Sequence, residues 1–114
     1  MTDESATPSF NVHTVTHDPM PQFGGSQAVL YRSPDGRRMA GSFKESGSHT
    51  LTMGYDEFLF VIAGHASITV HGEQRRELGP GDACYLREGQ VVNFTMSPDF
   101  HDVTVLISDT AIEY

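Results

Sequence analysis

The stretch GSHTLTMGYDEFLFVIAG, residues 47–64, carries two patterns in succession. In His49-Thr50-Leu51-Thr52-Met53 apolar and polar residues alternate, which is the period of an extended strand with one buried face. Leu51 and Met53 mark the inward side, and His49 shares it. Asp56 and Glu57 then precede six apolar residues, Phe58 to Ala63, that end on Gly64. A short run that is apolar on both faces reads as a strand covered on both sides. Neighbouring residues on a strand point oppositely, so Asp56 and Glu57 cannot form a carboxylate dyad. Glu57 is expected to face inward and Asp56 away.

The pattern extends in both directions from this stretch. QAVLYR, RRMAGSFK, ASITVH, ACYLR, VVNFTM and FHDVTVLIS are short runs rich in β-branched and aromatic residues, separated by Gly, Pro and Asp clusters. Such spacing predicts an all-β sandwich or barrel, and no window holds a helical apolar period. In VVNFTM, Val92, Phe94 and Met96 are expected inside. In the last run, His101 is expected to begin an inward face with Val103 and Val105. Residues 1–22 contain Pro8, Pro19 and Pro21 and read as a loose arm, with the alternating piece Phe10 to Val15 as its candidate edge strand. Residues 23–114 then form one domain.

The 15 acidic and 7 basic residues leave a net charge of −8. That balance argues against nucleic acid and against an anionic membrane surface, both of which need clustered Lys and Arg. The longest apolar run is far short of the roughly 20 residues that cross a bilayer. MTDESATPSF lacks the basic and apolar parts of a signal peptide, so a cytoplasmic protein is expected. Cys84 is the only cysteine and reads as a small buried filler, since no intrachain disulfide or thiolate cage can form.

Glu57 followed by six residues and Gly64 resembles the second half of the first cupin motif, and PGDACYLREGQVVNF, residues 80–94, resembles the second. The likeness covers roughly residues 38–108 and is nearest to the EutQ-type cupins of ethanolamine utilisation, and more loosely to small cupins similar to ureidoglycine aminohydrolase. The resemblance implies a double-stranded β-helix, a jelly-roll-like barrel. It also implies a metal held by a His-x-His pair, the Glu and a later His. Here the paired positions fall at Leu51 and Met53, or at Thr50 and Thr52, the later one at Val92, and Arg87 replaces a Pro. One carboxylate does not hold a transition metal, so no metal and no other cofactor are expected. The rearranged set Glu57, His49 and His101 is the alternative. An acetate kinase activity is attributed to the EutQ family, but the chain contains no P-loop motif to carry it.

Glu57 among apolar side chains would be desolvated, which raises its pKa and suits it to proton transfer near neutral pH. The expected site has Glu57, His49 and Tyr55 as its chemical groups. Leu51, Met53, Tyr85, Val92, Phe94 and Met96 are its expected ligand pocket. A neighbouring hydroxyl, Lys44 or Arg38 would be the partner if Glu57 were merely structural. Three functions remain open: a metal-independent small-molecule isomerase, lyase, hydrolase or transferase; a non-catalytic ligand-binding or accessory module related to ethanolamine utilisation; and a metal-dependent cupin with atypical ligands. A small domain with many strand edges is also expected to form a homodimer.

Overall fold

The computed structural model describes residues 7–113. Ten strands form in chain order: β1 (Asp18–Met20), β2 (Gly25–Arg32), β3 (Arg38–Lys44), β4 (Gly47–Thr52), β5 (Asp56–Ala63), β6 (Ala66–Val70), β7 (Arg76–Leu78), β8 (Ala83–Leu86), β9 (Val91–Met96) and β10 (His101–Ile107). A 3-10 turn, Pro21–Phe23, links the first two. Among the described residues no helix is long and apolar enough to cross a membrane.

The strands pair antiparallel throughout. One sheet has six strands in the order β1-β2-β3-β10-β5-β8, the other four in the order β4-β9-β6-β7. Their facing surfaces make the core: Leu59, Val61 and Leu86 from the large sheet pack with Ala66, Ile68, Leu78, Val92, Phe94 and Met96 from the small one. β9 shows the alternation its sequence predicts, with Val92, Phe94 and Met96 buried and Asn93 and Thr95 exposed. Met20, Met39, Phe43, Leu106 and Ile112 form a second core cluster. Gly64 ends the hairpin strand β5 for a steric reason. Its φ is +77°, and a Cβ there would lie 2.6 Å from the Phe100 Cα, so only glycine fits the turn.

Four expectations change. β5 is covered on one side only within this chain: Leu59 and Val61 face the core, whereas Phe58 and Phe60 remain 39% exposed on the outer face of the large sheet. β10 has the opposite parity to that expected. Asp102 pairs with Phe43 and Val61, Thr104 with Gly41 and Leu59, and Leu106 with Met39 and Glu57, so these three face inward and His101, Val103 and Val105 face out. The apolar residues of this strand lie outside because the inner face carries polar groups, a reversal that alternation alone does not reveal. The edge strand is Asp18–Met20, with Pro19 in its middle, while Asn11 to Val15 closes a turn through the Val15 N–H to Asn11 O bond of 2.9 Å. Finally, the charged segment Arg76–Leu78, which lies among the clusters between the strand-like runs of the sequence, pairs with β6 as an edge strand.

The amino-terminal segment packs on the outer face of the large sheet through histidines. His17 Nδ1 lies 3.2 Å from the Val15 carbonyl, which accepts its proton. With Nδ1 donating, Nε2 is the acceptor for the Ser42 hydroxyl over 2.9 Å. Ser42 Oγ in turn accepts from His101 Nε2 at 2.6 Å, and the rings of His13 and His17 meet His101 edge-on. Burial, then the neighbouring Lys44, His17 and His13, push the His101 pKa down to about 4. This chain of hydrogen bonds gives the buried Ser42 and His101 partners beneath the segment.

Candidate functional site: a cavity lined by carboxylates

Between the sheets lies a cavity of about 40 Å³, counted as room for water centres, enough for roughly three waters. Its apolar wall includes Phe43, Leu59, Ile68, Phe94, Met96 and Phe100. Its polar groups are Glu45, His49, Tyr55, Glu57, Asp102 and Thr104, and among the described residues neither Lys nor Arg lines it.

Strand register explains how acids come to be there. Glu57 opens β5 on its inner face, with Leu106 opposite it on one neighbouring strand and Leu86 on the other. Two flanking leucines strip water from the carboxyl. It remains partly accessible and lines the cavity. Burial, and secondarily the charge on Glu45, push its pKa up to about 8. Asp102 sits between Phe43 and Val61 in the same way and is 2% exposed. Its Oδ1 is buried without a hydrogen-bond partner. Burial first, then Glu45 and Glu57, raise its pKa well above the ordinary value. Glu45 follows β3 directly; burial raises it to about 7 against the opposing pull of His49. Asp102 and Glu57 lie on rows four residues apart along β10, roughly 13 Å by strand rise, with Thr104 between them. The acids are therefore spread along a slot within electrostatic reach of one another.

Of the residues expected in the site, Glu57, His49 and Tyr55 all line the cavity, as do Leu51, Phe94 and Met96. The His49 Nε2 donates to the Ser46 carbonyl over 2.9 Å, and burial followed by the charges of Glu57 and Glu45 raises the Tyr55 pKa to about 12. Met53 and Val92 are buried in the core instead of lining the cavity. Tyr85 lies on the outer face, 52% exposed, and its hydroxyl donates to Asp56 Oδ2 at 2.6 Å. It borders a separate hollow near β6–β8. Asp56 faces away, held below the ordinary carboxylate range by Tyr85 and by the Glu88 N–H. Cys84 packs partly buried against the core, and burial raises its pKa.

Lys44 and Arg38 cannot partner Glu57, because they share the outer face of β3 with Ser42. His101 is on that face too, so it cannot join Glu57 and His49 in one metal site. The metal-ligand positions of the first and second motifs carry Leu51, Met53 and Val92, or the exposed Thr50 and Thr52, in place of imidazoles. Among the described residues no three His, Cys, Asp or Glu side chains gather closely enough to hold a metal ion. The donor set thus does not fit the histidine-rich centre that the cupin pattern implies.

Sequence reasoning missed Asp102, Thr104 and Glu45. Glu45 lies in a turn cluster, where an acid carries no signal. Asp102 and Thr104 were assigned outward because valines alternate with them.

A raised carboxyl pKa means that the folded state favours the protonated acid. The stabilisation is complete below about pH 4.5 and is lost as pH rises through the folded values near 7 and 8. Wild-type thermal stability is therefore expected to fall between pH 5 and 8.5. Glu57→Gln should flatten this fall and be the more stable protein at pH 8.5, by an amount on the order of a few kcal/mol. Parallel melting curves for the two proteins at all pH values would contradict the assignment.

The family model for the EutQ-like cupin domain matches residues 32–103. No curated protein matches the sequence. Among solved structures, the EutQ protein of Clostridium difficile superposes with a TM-score of 0.72 at 22% identity, covering 90% of this chain and 82% of its own. A putative ethanolamine utilization protein Q from Salmonella typhimurium gives 0.71 at 19% identity, covering 85% and 82%. KdgF from Halomonas sp. gives 0.67 at 19% identity, covering 86% and 90%. These likenesses establish the double-stranded β-helix, and the family match establishes more: the chain belongs to the EutQ-like cupin family.

Proposed function

We propose that the cavity binds a small molecule and that Glu57 acts on it as a general acid/base without a metal. The observation that carries this reading is the position of Glu57: a carboxyl flanked by two leucines, facing an apolar cavity, with its pKa raised to about 8. A group poised in this range both donates and accepts protons near neutral pH. Tyr55 and Thr104 supply hydroxyls that orient a ligand, and Asp102 supplies an acceptor at the far end of the slot. The chemistry suits proton transfer at carbon or a proton-assisted elimination or hydrolysis. The histidine-poor donor set supports a mechanism carried by carboxyl groups.

Proton transfer through Glu57 leaves an isotopic trace. Incubating the protein in D₂O with a small-metabolite mixture, with and without chelator, should produce a metabolite that gains deuterium or changes mass, chelator or not. Glu57→Gln should slow that change by about 10²- to 10⁴-fold. A ligand that binds and returns unchanged, or equal turnover by the variant, would overturn the catalytic reading.

We further propose that a second copy of the chain covers the outer face of the large sheet. Phe58, Phe60, Tyr85, Val105 and Ile107 share that face and are each between 36% and 52% exposed. An apolar patch on one sheet face is a surface that a monomer ordinarily avoids. A two-fold axis would place the patch against itself. Sedimentation should give a dimer mass for wild type and a monomer mass for Phe60→Asp. A concentration-independent monomer in the wild type would contradict it.

A further inference from the structure

The ligand class follows from what the cavity lacks as much as from what it holds. Three carboxyl groups face it, Glu45 after β3, Glu57 on β5 and Asp102 on β10, and no Lys or Arg lines it. From the small sheet, β6 and β9 contribute Ala66, Ile68, Phe94 and Met96, none of them titratable, and β4 contributes Leu51 and His49. Two further titratable groups remain: His49 on β4 and Tyr55 in the β4–β5 connection, and the His49 Nε2 already donates to a backbone carbonyl. The decisive group is Asp102, which lines the cavity and whose Oδ1 is buried with no hydrogen-bond partner among the described residues. Buried acceptors are almost always satisfied, so the missing donor belongs to something that enters.

We propose that the cavity takes a small aliphatic primary amine as its ammonium form, with the N–H donors reaching Asp102 Oδ1 and the alkyl part lying against Phe43, Phe94 and Phe100. An ammonium group supplies three donors and a positive charge at once. A bound ammonium lets the cavity acids ionise against a cation, and the aromatic wall attracts a cation as well as an alkyl chain. An anion would find carboxyl groups and no cation to pair with. A neutral alcohol would supply one donor and no charge. Because Glu45 and Glu57 are driven toward protonation in the empty cavity, an arriving cation ionises them and releases protons. Binding must therefore tighten as pH rises from 6 to 8. This assignment rests on the acid/base reading of the same cavity and adds the charge of the substrate to it.

The test uses the full chain and three probes of equal length: n-propylamine hydrochloride, 1-propanol and sodium propionate, at matched ionic strength. Calorimetry should show saturable binding of propylamine at least tenfold tighter than either other probe. Affinity should rise about tenfold between pH 6 and 8, with proton release that tracks buffer ionisation enthalpy. Asp102→Asn and, separately, Glu45→Gln should weaken propylamine at least tenfold while keeping the wild-type melting temperature at pH 6 within a few degrees. Equal binding of propanol, preferred binding of propionate, absence of saturation with propylamine, or unchanged affinity in both variants would overturn the proposal. If the D₂O experiment shows Glu57-dependent turnover of a neutral or anionic metabolite while propylamine fails, the ligand class falls and the acid/base reading stands. If propylamine binds as described and no metabolite exchanges protons, the ligand class stands and the catalytic reading falls.

Discussion

The cost of keeping carboxyl groups out of water governs this molecule. A lone ionised carboxylate in an apolar interior is among the least tolerable burials in a protein. Three acids line one cavity here, and no lysine or arginine joins them. The fold resolves the conflict by letting them hold protons, which is why Glu45, Glu57 and Asp102 all titrate above their ordinary ranges. Stability is given up for this arrangement at neutral pH, as is common where a site rather than packing selects the residues.

The rest of the architecture makes that conflict sustainable. Two antiparallel sheets, joined by the apolar set from Leu59 to Met96, provide a rigid frame around the cavity. The register of β3, β10 and β5 places Asp102, Thr104 and Glu57 on one inner surface. On the reverse of the same sheet, the His17–Ser42–His101 chain satisfies the buried polar groups beneath the amino-terminal segment. Polar atoms there have partners; inside the cavity Asp102 Oδ1 has none. Gln27 Oε1 is also buried without a partner among the described residues but lies outside the cavity, so it is the orphaned oxygen together with the cavity-lining position of Asp102 that points to a ligand.

The sequence made the all-β class, the strands around residues 47–64 and 91–96, and the inward turn of Glu57 readable, because each rests on local alternation. The same reasoning misplaced β10. In His-Asp-Val-Thr-Val-Leu-Ile, the valines alternate with polar residues as if the valines were core, yet only Leu106 on the true inner face is apolar. Alternation reports which face is apolar. It reports which face is inside only when the inside is apolar too. β5 shows the converse, since Phe58 and Phe60 read as buried and lie on an exposed face. Glu45 was silent because its importance arises from the meeting of a turn with residues more than fifty positions away. Tyr85 fell on the outer face through a pairing with Phe58 that its own short strand does not reveal.

The protonation of the cavity acids is the central quantity, and carboxyl ¹³C NMR titration reads it directly. With side-chain carboxyl carbons labelled and assigned, the midpoint for Glu57 is expected near 8 and for Glu45 near 7, with Asp102 still protonated well above pH 4. Asp56, on the outer face of the same strand as Glu57, should titrate below the usual carboxylate range. Midpoints near 4 for Glu45, Glu57 and Asp102 alike would mean that water or an unrecognised partner already satisfies them, and the cavity would not be the site described.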